Sequence, residues 1–142
     1  MPRADFTFVH TLRVRWAEAD MQGVVFNGHY LTYFDVGITE YFRALFDGDL
    51  ARLRDTFERV YVVKATVEYH APARFDDVLD VCVRIARFGR SSLRVLFEIH
   101  RGSEHLISGE SVYVYADAGR SAPIPEPLRD RVRRFERTAP ED

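Results

Sequence analysis

The segment from Asp20 to Tyr30 brings together groups that can act on a carbonyl carbon. Asp20 supplies a carboxylate, Gly23 marks a turn, and a helix is predicted to begin at about Gly28. Backbone N–H groups at the start of a helix have no intrahelical partner and carry partial positive charge, so they can stabilise an oxyanion. An Asp between a strand and a helix is, however, usually a turn or capping residue. The residue types alone therefore leave a catalytic and a structural interpretation of Asp20 open.

Other polar residues near this segment have less specific patterns. Asn27 is predicted to cap the helix, since its side chain can accept a hydrogen bond from an amide in the first turn. His29 could face a ligand, but a solvent-exposed or core-satisfied histidine is the more common arrangement. The five histidines are scattered along the sequence and predict no metal site. His70 and His100 end predicted strands and are expected to be exposed.

The spacing of apolar residues predicts the secondary-structure elements on either side of the segment from Asp20 to Tyr30. Apolar and polar residues alternate from Phe6 to Trp16, which predicts a half-buried strand. From about Gly28 to about Phe46 the apolar residues recur every three to four positions, which predicts one long helix. Gly37 in the middle of this helix costs about 1 kcal/mol relative to Ala, so we expect a strand or another backbone to pass close to it.

The remainder of the chain is predicted to be mainly β-strand. A short second helix is expected around residues 50–57, followed by strands at 60–69, 79–85, 93–99 and 106–116, and a tail helix opened by Pro127 at about 127–137. This order predicts an α+β fold, a five-stranded antiparallel sheet wrapped around one long helix, as a single domain of residues 1–142 with its core at about 6–116. One helix cannot cover both faces of a curved sheet, so a second copy is expected at the outer face or a sheet edge.

The composition excludes several function classes. With 20 basic and 22 acidic residues, the net charge of -2 gives no bulk attraction to nucleic acid or to an anionic membrane. The single cysteine, Cys82, excludes an internal disulfide and a thiolate metal site. No apolar run approaches the roughly 20 residues of a membrane span, and the polar N-terminus Met1–Asp5 does not resemble a signal peptide. The sequence therefore predicts a soluble, cytoplasmic protein.

Three segments, in order along the chain, carry a family likeness. They are Arg15-Trp16-x-Glu18-x-Asp20-x-x-Gly23-Val24-Val25-x-Asn27-x-x-Tyr30-x-x-x-Phe34-Asp35, then Val67-x-Tyr69-x-x-Pro72-Ala73-x-Phe75-x-Asp77-x-Leu79, then Gly89-Arg90-Ser91-Ser92-Leu93. Together they span about Phe8 to Tyr115 and resemble the hotdog-fold thioesterases of the 4-hydroxybenzoyl-CoA thioesterase type. The resemblance implies a homodimer, or a tetramer built as a dimer of dimers, with active sites at the subunit interface.

The resemblance also implies an activity, the hydrolysis of acyl-CoA thioesters to a free acid and CoA. Asp20 matches the family's nucleophile or general base, and the N–H of Asn27, helped by that of Gly28, matches the amide that polarises the thioester carbonyl. Further substrate contacts are expected from Val25, Phe26, His29, Tyr30 and Asp35. Coenzyme A contacts are expected from Arg87, Arg90, Ser91 and Ser92. No metal and no separate cofactor are implied, since coenzyme A is part of the substrate.

Three other interpretations stay open. A close rival takes acyl groups from acyl carrier protein, which would need a protein-docking surface at the mouth of the pocket. A 3-hydroxyacyl dehydratase of the same fold would need a His paired with an acidic residue, and no His-centred motif is evident around Asp20. A non-catalytic domain would only bind acyl thioesters or dimerise, and would have little reason to keep this carboxylate. Acyl-chain specificity is not determined by the sequence.

Overall fold

The computed structural model describes residues 5–142, and Met1–Ala4, part of the segment predicted not to be a signal peptide, lie outside the described residues. The strands are β1 (Phe8–Arg13), β2 (Val60–Tyr69), β3 (Val78–Phe88), β4 (Ser92–Arg101), β5 (Glu104–Asp117) and β6 (Arg120–Ser121). The helices are α1 (His29–Leu45), α2 (Leu50–Phe57) and α3 (Glu126–Phe135), with a short 3-10 helix at Trp16–Glu18. Within the described residues, no helix is both long enough and apolar enough to cross a membrane.

Strands β1 to β5 form one antiparallel sheet. Their order is β1-β3-β4-β5-β2, and the two-residue strand β6 pairs with the end of β5. The hairpins β3–β4 and β4–β5 form the centre of the sheet, while β1 pairs only with β3 and β2 pairs only with β5 among the described residues. The predicted five-stranded antiparallel sheet is confirmed, and β2 is one of its two edges.

Helix α1 lies across one face of the sheet and supplies most of the large side chains of the core. Its buried residues include Tyr30, Tyr33, Phe34, Ile38, Tyr41, Phe42 and Leu45. They pack on the inward-facing residues of the sheet, where Phe34 stacks on Phe97 with ring centroids 4.3 Å apart. Burying one such aromatic side chain contributes about 1.5–3 kcal/mol. The predicted long helix, and the face that it buries, are therefore confirmed.

Gly37 marks the closest approach between α1 and the sheet. A Cβ atom at this position would lie 2.8 Å from Cγ1 of Val81 and 2.9 Å from Cγ2 of Val83, both on β3. These separations are shorter than real Cβ contacts allow, so the glycine lets the helix sit directly on β3. The close approach predicted at Gly37 is confirmed, and the packing of the two valines offsets the low helix propensity of glycine.

Two local signals separate α1 from α2. Gly48 ends α1: its φ of 80° lies in the left-handed region, which glycine adopts without strain. Asp49 then caps α2 by accepting hydrogen bonds from two N–H groups of its first turn. Helix α3 begins one residue before Pro127, and Tyr41 Oη donates a hydrogen bond of 2.6 Å to Glu136 Oε2, just after α3. This bond ties the C-terminal tail to α1.

The first strand is shorter than the alternation of residue types predicts. Strand β1 ends at Arg13 and the chain turns into the 3-10 helix, so Trp16 is 75% exposed rather than facing the core. At this turn the Glu18 carboxylate accepts a hydrogen bond of 2.8 Å from the N–H of Arg15. A side chain that bonds to the backbone in this way competes with strand pairing. Alternation does not report such a bond, which is why the inward placement of Trp16 was wrong.

We expect Gly37→Ala to destabilise the protein by about 1–3 kcal/mol, because the new methyl group would overlap two valine side chains of β3. The gain in helix propensity, roughly 1 kcal/mol, is too small to compensate. Urea denaturation followed by circular dichroism measures the change. The matched control is Thr32→Ala, at an exposed position of the same helix, which should change the free energy of unfolding by less than about 0.5 kcal/mol. Equal stability of Gly37→Ala and the wild type would contradict the close contact.

Candidate active site

Asp20 lies in a tight turn that immediately precedes the loop into α1. Its N–H donates to Val24 O (2.8 Å), and the N–H of Gly23, with a φ of 78°, donates back to Asp20 O (3.0 Å). The N–H of Gln22 donates to Asp20 Oδ1 (2.8 Å), while Oδ2 has no hydrogen bond to any of the residues 5–142. The carboxylate is half-buried. One oxygen therefore holds the turn, and the other is available for chemistry.

Glu18 supports this loop from beneath. Its side chain is buried and accepts hydrogen bonds from Arg15, through the backbone N–H and the guanidinium, and from Tyr33 Oη at 2.9 Å. Its backbone oxygen accepts a bond of 3.0 Å from the N–H of Phe26. Burial alone would raise the pKa of Glu18, but the bonds from Arg15 and Tyr33 outweigh it and lower the pKa. Glu18 is thus a charged structural residue that joins the loop to the core of α1.

A second set of bonds fixes the loop from the side of the β2–β3 connection. The N–H of Val25 donates to Ala73 O (2.8 Å), and the N–H of Ala73 donates to Tyr30 Oη (3.1 Å). Tyr69 Oη donates to the backbone oxygen of Asn27 (3.1 Å). Burial raises the pKa of Tyr30, so its hydroxyl stays protonated near neutral pH. The loop is therefore held on two sides before α1 begins.

The predicted capping role of Asn27 is wrong. The N-cap residue of α1 is Gly28, which has a helical backbone conformation and makes no side-chain capping bond. The N–H of His29 donates to Phe26 O (2.9 Å), so a turn leads into the helix without help from a polar side chain. Among the described residues, the N–H groups of Asn27 and Gly28 donate no hydrogen bond. These two amides, predicted to polarise a carbonyl, are consequently available to do so.

A pocket of about 290 Å³ brings Asp20 together with the start of α1. Its lining residues are Asp20, Gln22, Val24, Val25, Asn27, Tyr30, Tyr69, His70, Ala71 and Pro72. Four of these were predicted as site residues: Asp20, Val25, Asn27 and Tyr30. The wall formed by residues 69–72 was not assigned to the site from the sequence, although Tyr69 and Pro72 belong to the second family segment. A carboxylate and free amides at a helix start suit attack on an acyl carbonyl.

Four residues predicted for this part of the site do not line the pocket: Gly28, Phe26, His29 and Asp35. Phe26 is 51% exposed and packs edge-on against the ring of His29 at 5.9 Å. Asp35 lies further along α1 and is exposed, although partial burial of its carboxyl raises its pKa. Burial, and then the charge of Asp35, raises the pKa of Tyr113 on β5. In the single chain, these side chains do not share the pocket of Asp20.

The predicted coenzyme A loop, Arg87 to Ser92, lies at the other end of α1. Arg129 of α3 donates to the backbone oxygens of Gly89 (2.6 Å) and Arg90 (3.0 Å) in this loop. Arg131 of α3 in turn donates to Leu45 O (2.7 Å), the last residue of α1. The 17 residues of α1 span about 25 Å. Within one chain, the loop and Asp20 are therefore held apart by the length of the helix.

Three of the five histidines meet in space although they are scattered in the sequence. His100 is buried, at 6% exposure, which contradicts the predicted exposure at a strand end. Its ring stacks on that of His105, with centroids 4.7 Å apart, and the ring of His105 contacts His70 at 4.9 Å. Strand pairing of β4 with β5 places His100 directly opposite His105. Sequence distance gave no sign of this cluster, because the hairpin register decides it.

Comparison with known proteins identifies the family to which the chain is similar. The sequence model of the thioesterase superfamily matches residues 22–108, a segment that begins just after Asp20. The acyl-CoA thioester hydrolase YbgC of Escherichia coli O6:H1 is 31% identical over 103 residues, covering 72% of this chain and 76% of that protein. The acyl-CoA thioesterase YbgC of Haemophilus influenzae is 26% identical over 124 residues, covering 87% and 90% respectively.

A solved thioesterase structure has the same fold as this chain. The crystal structure of a thioesterase from Thermus thermophilus, complexed with coenzyme A and Zn, superimposes with a TM-score of 0.83. The two sequences are 30% identical, and the match covers 93% of this chain and 96% of that chain. The similarity thus extends over nearly the whole of both chains.

We expect Glu18→Gln to destabilise the protein by about 1–3 kcal/mol at pH 7, because a neutral amide cannot replace a buried charged acceptor facing Arg15. The pKa of Glu18 is lowered in the folded state, so its contribution is fully present above its unfolded value of about 4.3 and is lost as the pH falls through the lower folded value. Urea denaturation at pH 7 and at pH 3 checks both effects.

The matched control for this experiment is Glu40→Gln. Glu40 forms a more exposed ion pair with Arg43 on α1, and such pairs contribute little. The stability gap between wild type and Glu18→Gln should narrow at acid pH, whereas the control should stay close to wild type at neutral pH. A gap that does not depend on pH would argue against a charged Glu18 in the folded protein.

Proposed function

This chain belongs to the thioesterase superfamily, has the hotdog fold and is a thioesterase, and on that premise we propose that it hydrolyses acyl thioesters of coenzyme A at the pocket of Asp20. The observation that carries the proposal is the free Oδ2 of Asp20 in the same pocket as the start of α1. The similarity of this chain to the acyl-CoA thioesterases of two bacteria supports acyl-CoA as the substrate.

The amides at the start of α1 polarise the thioester carbonyl in this proposal. The N–H groups of Asn27 and Gly28 make no other hydrogen bond among residues 5–142, and they lie at the positive end of the helix dipole. As the carbonyl carbon becomes tetrahedral, negative charge develops on its oxygen, and preorganised N–H donors stabilise it. One such donor is worth about 3 kcal/mol in the transition state.

Asp20 supplies or activates the attacking oxygen. As a nucleophile, its carboxylate attacks the carbonyl carbon, the C–S bond breaks, and the thiolate leaves and takes up a proton. Water then cleaves the acyl-aspartyl anhydride to the free acid and regenerates the carboxylate. As a general base, Asp20 instead takes a proton from a water molecule that attacks the carbonyl carbon directly. Both routes consume one water and release one acid and one CoA.

The unpaired edge of β2 supports a dimer. All of its residues except the buried Val60 and the partly buried Val67 are exposed, and the exposed apolar ones include Tyr61, Val62, Val63 and Tyr69. A long apolar edge strand is a surface that another strand can extend. We propose that β2 of two chains pair, so that each pocket lies at the interface. A partner chain can then bring its own Arg90 loop towards the pocket, which one chain cannot do.

Two alternatives compete within this pocket. An acyl carrier protein could deliver the acyl group, since the pocket itself recognises only the thioester; comparing acyl-CoA with acyl carrier protein substrates decides this. A dehydratase would need a His working with an acidic residue. His70 does line the pocket, but its Nε2 bonds to Ser108 Oγ (2.9 Å) and not to Asp20. That bond favours hydrolysis over dehydration.

We expect Asp20→Asn to lower turnover of acyl-CoA at least a hundredfold while the fold stays intact. An Asn side chain keeps the oxygen that accepts the Gln22 N–H, so the turn is preserved, but it can neither attack nor accept a proton. Thiol release from short, long and aromatic acyl-CoAs measures activity, and circular dichroism checks the fold. Asp49→Asn is the matched control, because Asn also caps a helix and position 49 is remote from the pocket.

The pattern of rates separates the outcomes. Full activity of a folded Asp20→Asn variant would contradict the proposal that Asp20 attacks the thioester or activates water. If the wild type hydrolyses none of these acyl-CoAs, two hypotheses remain. The protein then either hydrolyses acyl groups carried by acyl carrier protein or is a non-catalytic domain that binds acyl thioesters. Single-turnover hydrolysis in 18O-labelled water distinguishes the two routes, since only the nucleophilic route can place the label in the carboxylate of Asp20.

We expect Val62→Lys, at the third residue of β2, to convert the dimer to a monomer. A charge at an apolar edge opposes strand pairing, and loss of the partner should lower activity by at least tenfold at low protein concentration. Light scattering after size-exclusion chromatography measures the mass. Val9→Lys, at an exposed position on the other edge strand, β1, is the matched control and should keep both mass and activity. An unchanged mass for Val62→Lys would contradict pairing through β2.

A further inference from the structure

Glu98, His100 and His105 form a compact cluster on the face of the sheet opposite α1. Phe97 packs on α1, so its neighbour Glu98 points to the other face, and His100 follows two residues later on the same side. The Nε2 atom of His100 lies 2.9 Å from Glu98 Oε1, and the Nε2 atom of His105 lies 3.8 Å from the same oxygen. One ligand atom from each residue falls within 4.8 Å of the other two.

We propose that this cluster binds one divalent transition-metal ion, with Zn²⁺ as the type of ion that it fits. The proposal goes beyond the thioesterase activity and needs none of the residues assigned to it. Two imidazole nitrogens and one carboxylate are a common set of Zn²⁺ ligands. In a tetrahedral site with bonds of about 2.1 Å, ligand atoms are roughly 3.4 Å apart. The observed separations of 2.9 and 3.8 Å lie on either side of this value.

Burial and access both suit an ion. The side chains of Glu98 and His100 are only 5% and 7% exposed, whereas that of His105 is 35% exposed. An ion held there would be shielded from solvent by Glu98 and His100 and would be accessible from the side of His105. Glu98 and Ser108 also line a cleft of about 310 Å³ on this face, which gives a route of entry. A water molecule in the cleft can complete the coordination.

Binding requires local changes at both histidines. The hydrogen bond between His100 Nε2 and Glu98 Oε1 must give way to the ion, and the two rings, now stacked at an interplanar angle of 18°, must turn so that both nitrogens point at it. At His105 a further contact must be exchanged. Its Nε2 atom now lies 2.9 Å from Ile107 O and 3.0 Å from Ser108 Oγ. A metal takes the lone pair of a neutral imidazole, so the ring proton must be on Nδ1 and the contact with the carbonyl oxygen must be exchanged for the ion. This requirement makes binding pH-dependent, because protonated imidazoles cannot act as ligands.

The cluster also touches the wall of the pocket. Ser108 Oγ bonds to His105 on one side and to Nε2 of His70 (2.9 Å) on the other, and His70 lines the pocket of Asp20. A bound ion would fix the strand ends beside this wall. We assign it a structural role, holding β4 and β5 together, and no part in the attack on the thioester.

The test is Zn²⁺ binding by the full-length protein after removal of metals with a chelator. Calorimetry should show one Zn²⁺ per chain, and saturating Zn²⁺ should raise the melting temperature by roughly 5–10 °C. Co²⁺ in its place should give the visible absorption of a tetrahedral site. His105→Gln and Glu98→Gln should each weaken binding by about a hundredfold or more. His10→Gln, on β1, removes a histidine outside the cluster and should bind like wild type.

His105→Gln is the decisive variant, since its partly exposed side chain can change without disturbing the core. A folded His105→Gln protein that binds Zn²⁺ as tightly as wild type would overturn the proposal and point to adventitious binding elsewhere. Absence of Zn²⁺ and Co²⁺ binding by the wild type at neutral pH would also overturn it, leaving the cluster as a hydrogen-bonded network. Both results are independent of thioesterase activity, so they do not bear on Asp20.

Discussion

The packing of α1 directly on β3 is the constraint on which the rest of the structure depends. The missing side chain at Gly37 lets the helix approach Val81 and Val83, and the aromatic residues on either side of it then fill the concave face of the sheet. With the helix axis fixed in this way, its N-terminus meets the turn of Asp20. Its C-terminus meets α3 through Arg131. The close contact at Gly37 seats the middle of the helix on β3, and hydrogen bonds from Tyr69 and Arg131 then hold its two ends.

Two carboxylates at the entrance to this helix have opposite environments and therefore different roles. Glu18 is buried and fully engaged by Arg15 and Tyr33, which lowers its pKa and commits it to holding the loop. Asp20 gives one oxygen to its own turn and keeps the other without a hydrogen bond among the described residues. The hydrogen bonds of Glu18 therefore hold the loop in place, while Asp20 keeps one carboxylate oxygen available for the proposed reaction.

The separation of Asp20 from the Arg90 loop gives the proposed dimer a functional reason. A single chain holds these features at opposite ends of α1, and the contacts of α3 keep the loop there. An apolar edge at β2 is a surface through which a partner could supply what one chain lacks. In the proposed dimer, the length of the helix explains why a second copy is needed, and the edge strand β2 is the surface through which it attaches. The arginine-rich tail helix belongs to the same scaffold, since Arg129 stacks over Phe88 at 5.2 Å while it holds the loop.

Much of this could be predicted from local sequence. The period of α1, the glycine at its closest contact, the left-handed stop at Gly48 and the five strands all follow from short-range patterns, because each depends on neighbouring residues in the chain. The family likeness predicts Asp20 as the reactive group, and in the structure its Oδ2 lies in a pocket without a hydrogen bond to any described residue. The capping role of Asn27 and the inward face of Trp16 failed for one reason: nearby backbone and carboxylate groups made the bonds instead.

Only the tertiary structure decided what distant segments do together. Residues 69–72 became a wall of the Asp20 pocket because Val25 and Tyr30 bond to Ala73, and the sequence holds no local sign of those bonds. His100 and His105 face each other because of the β4–β5 register, and a shift of one residue would place them on opposite faces. The sequence by itself determined the elements and, through the family likeness, predicted Asp20 as the reactive carboxylate. Long-range hydrogen bonds and strand register, which no local pattern encodes, determined what surrounds it.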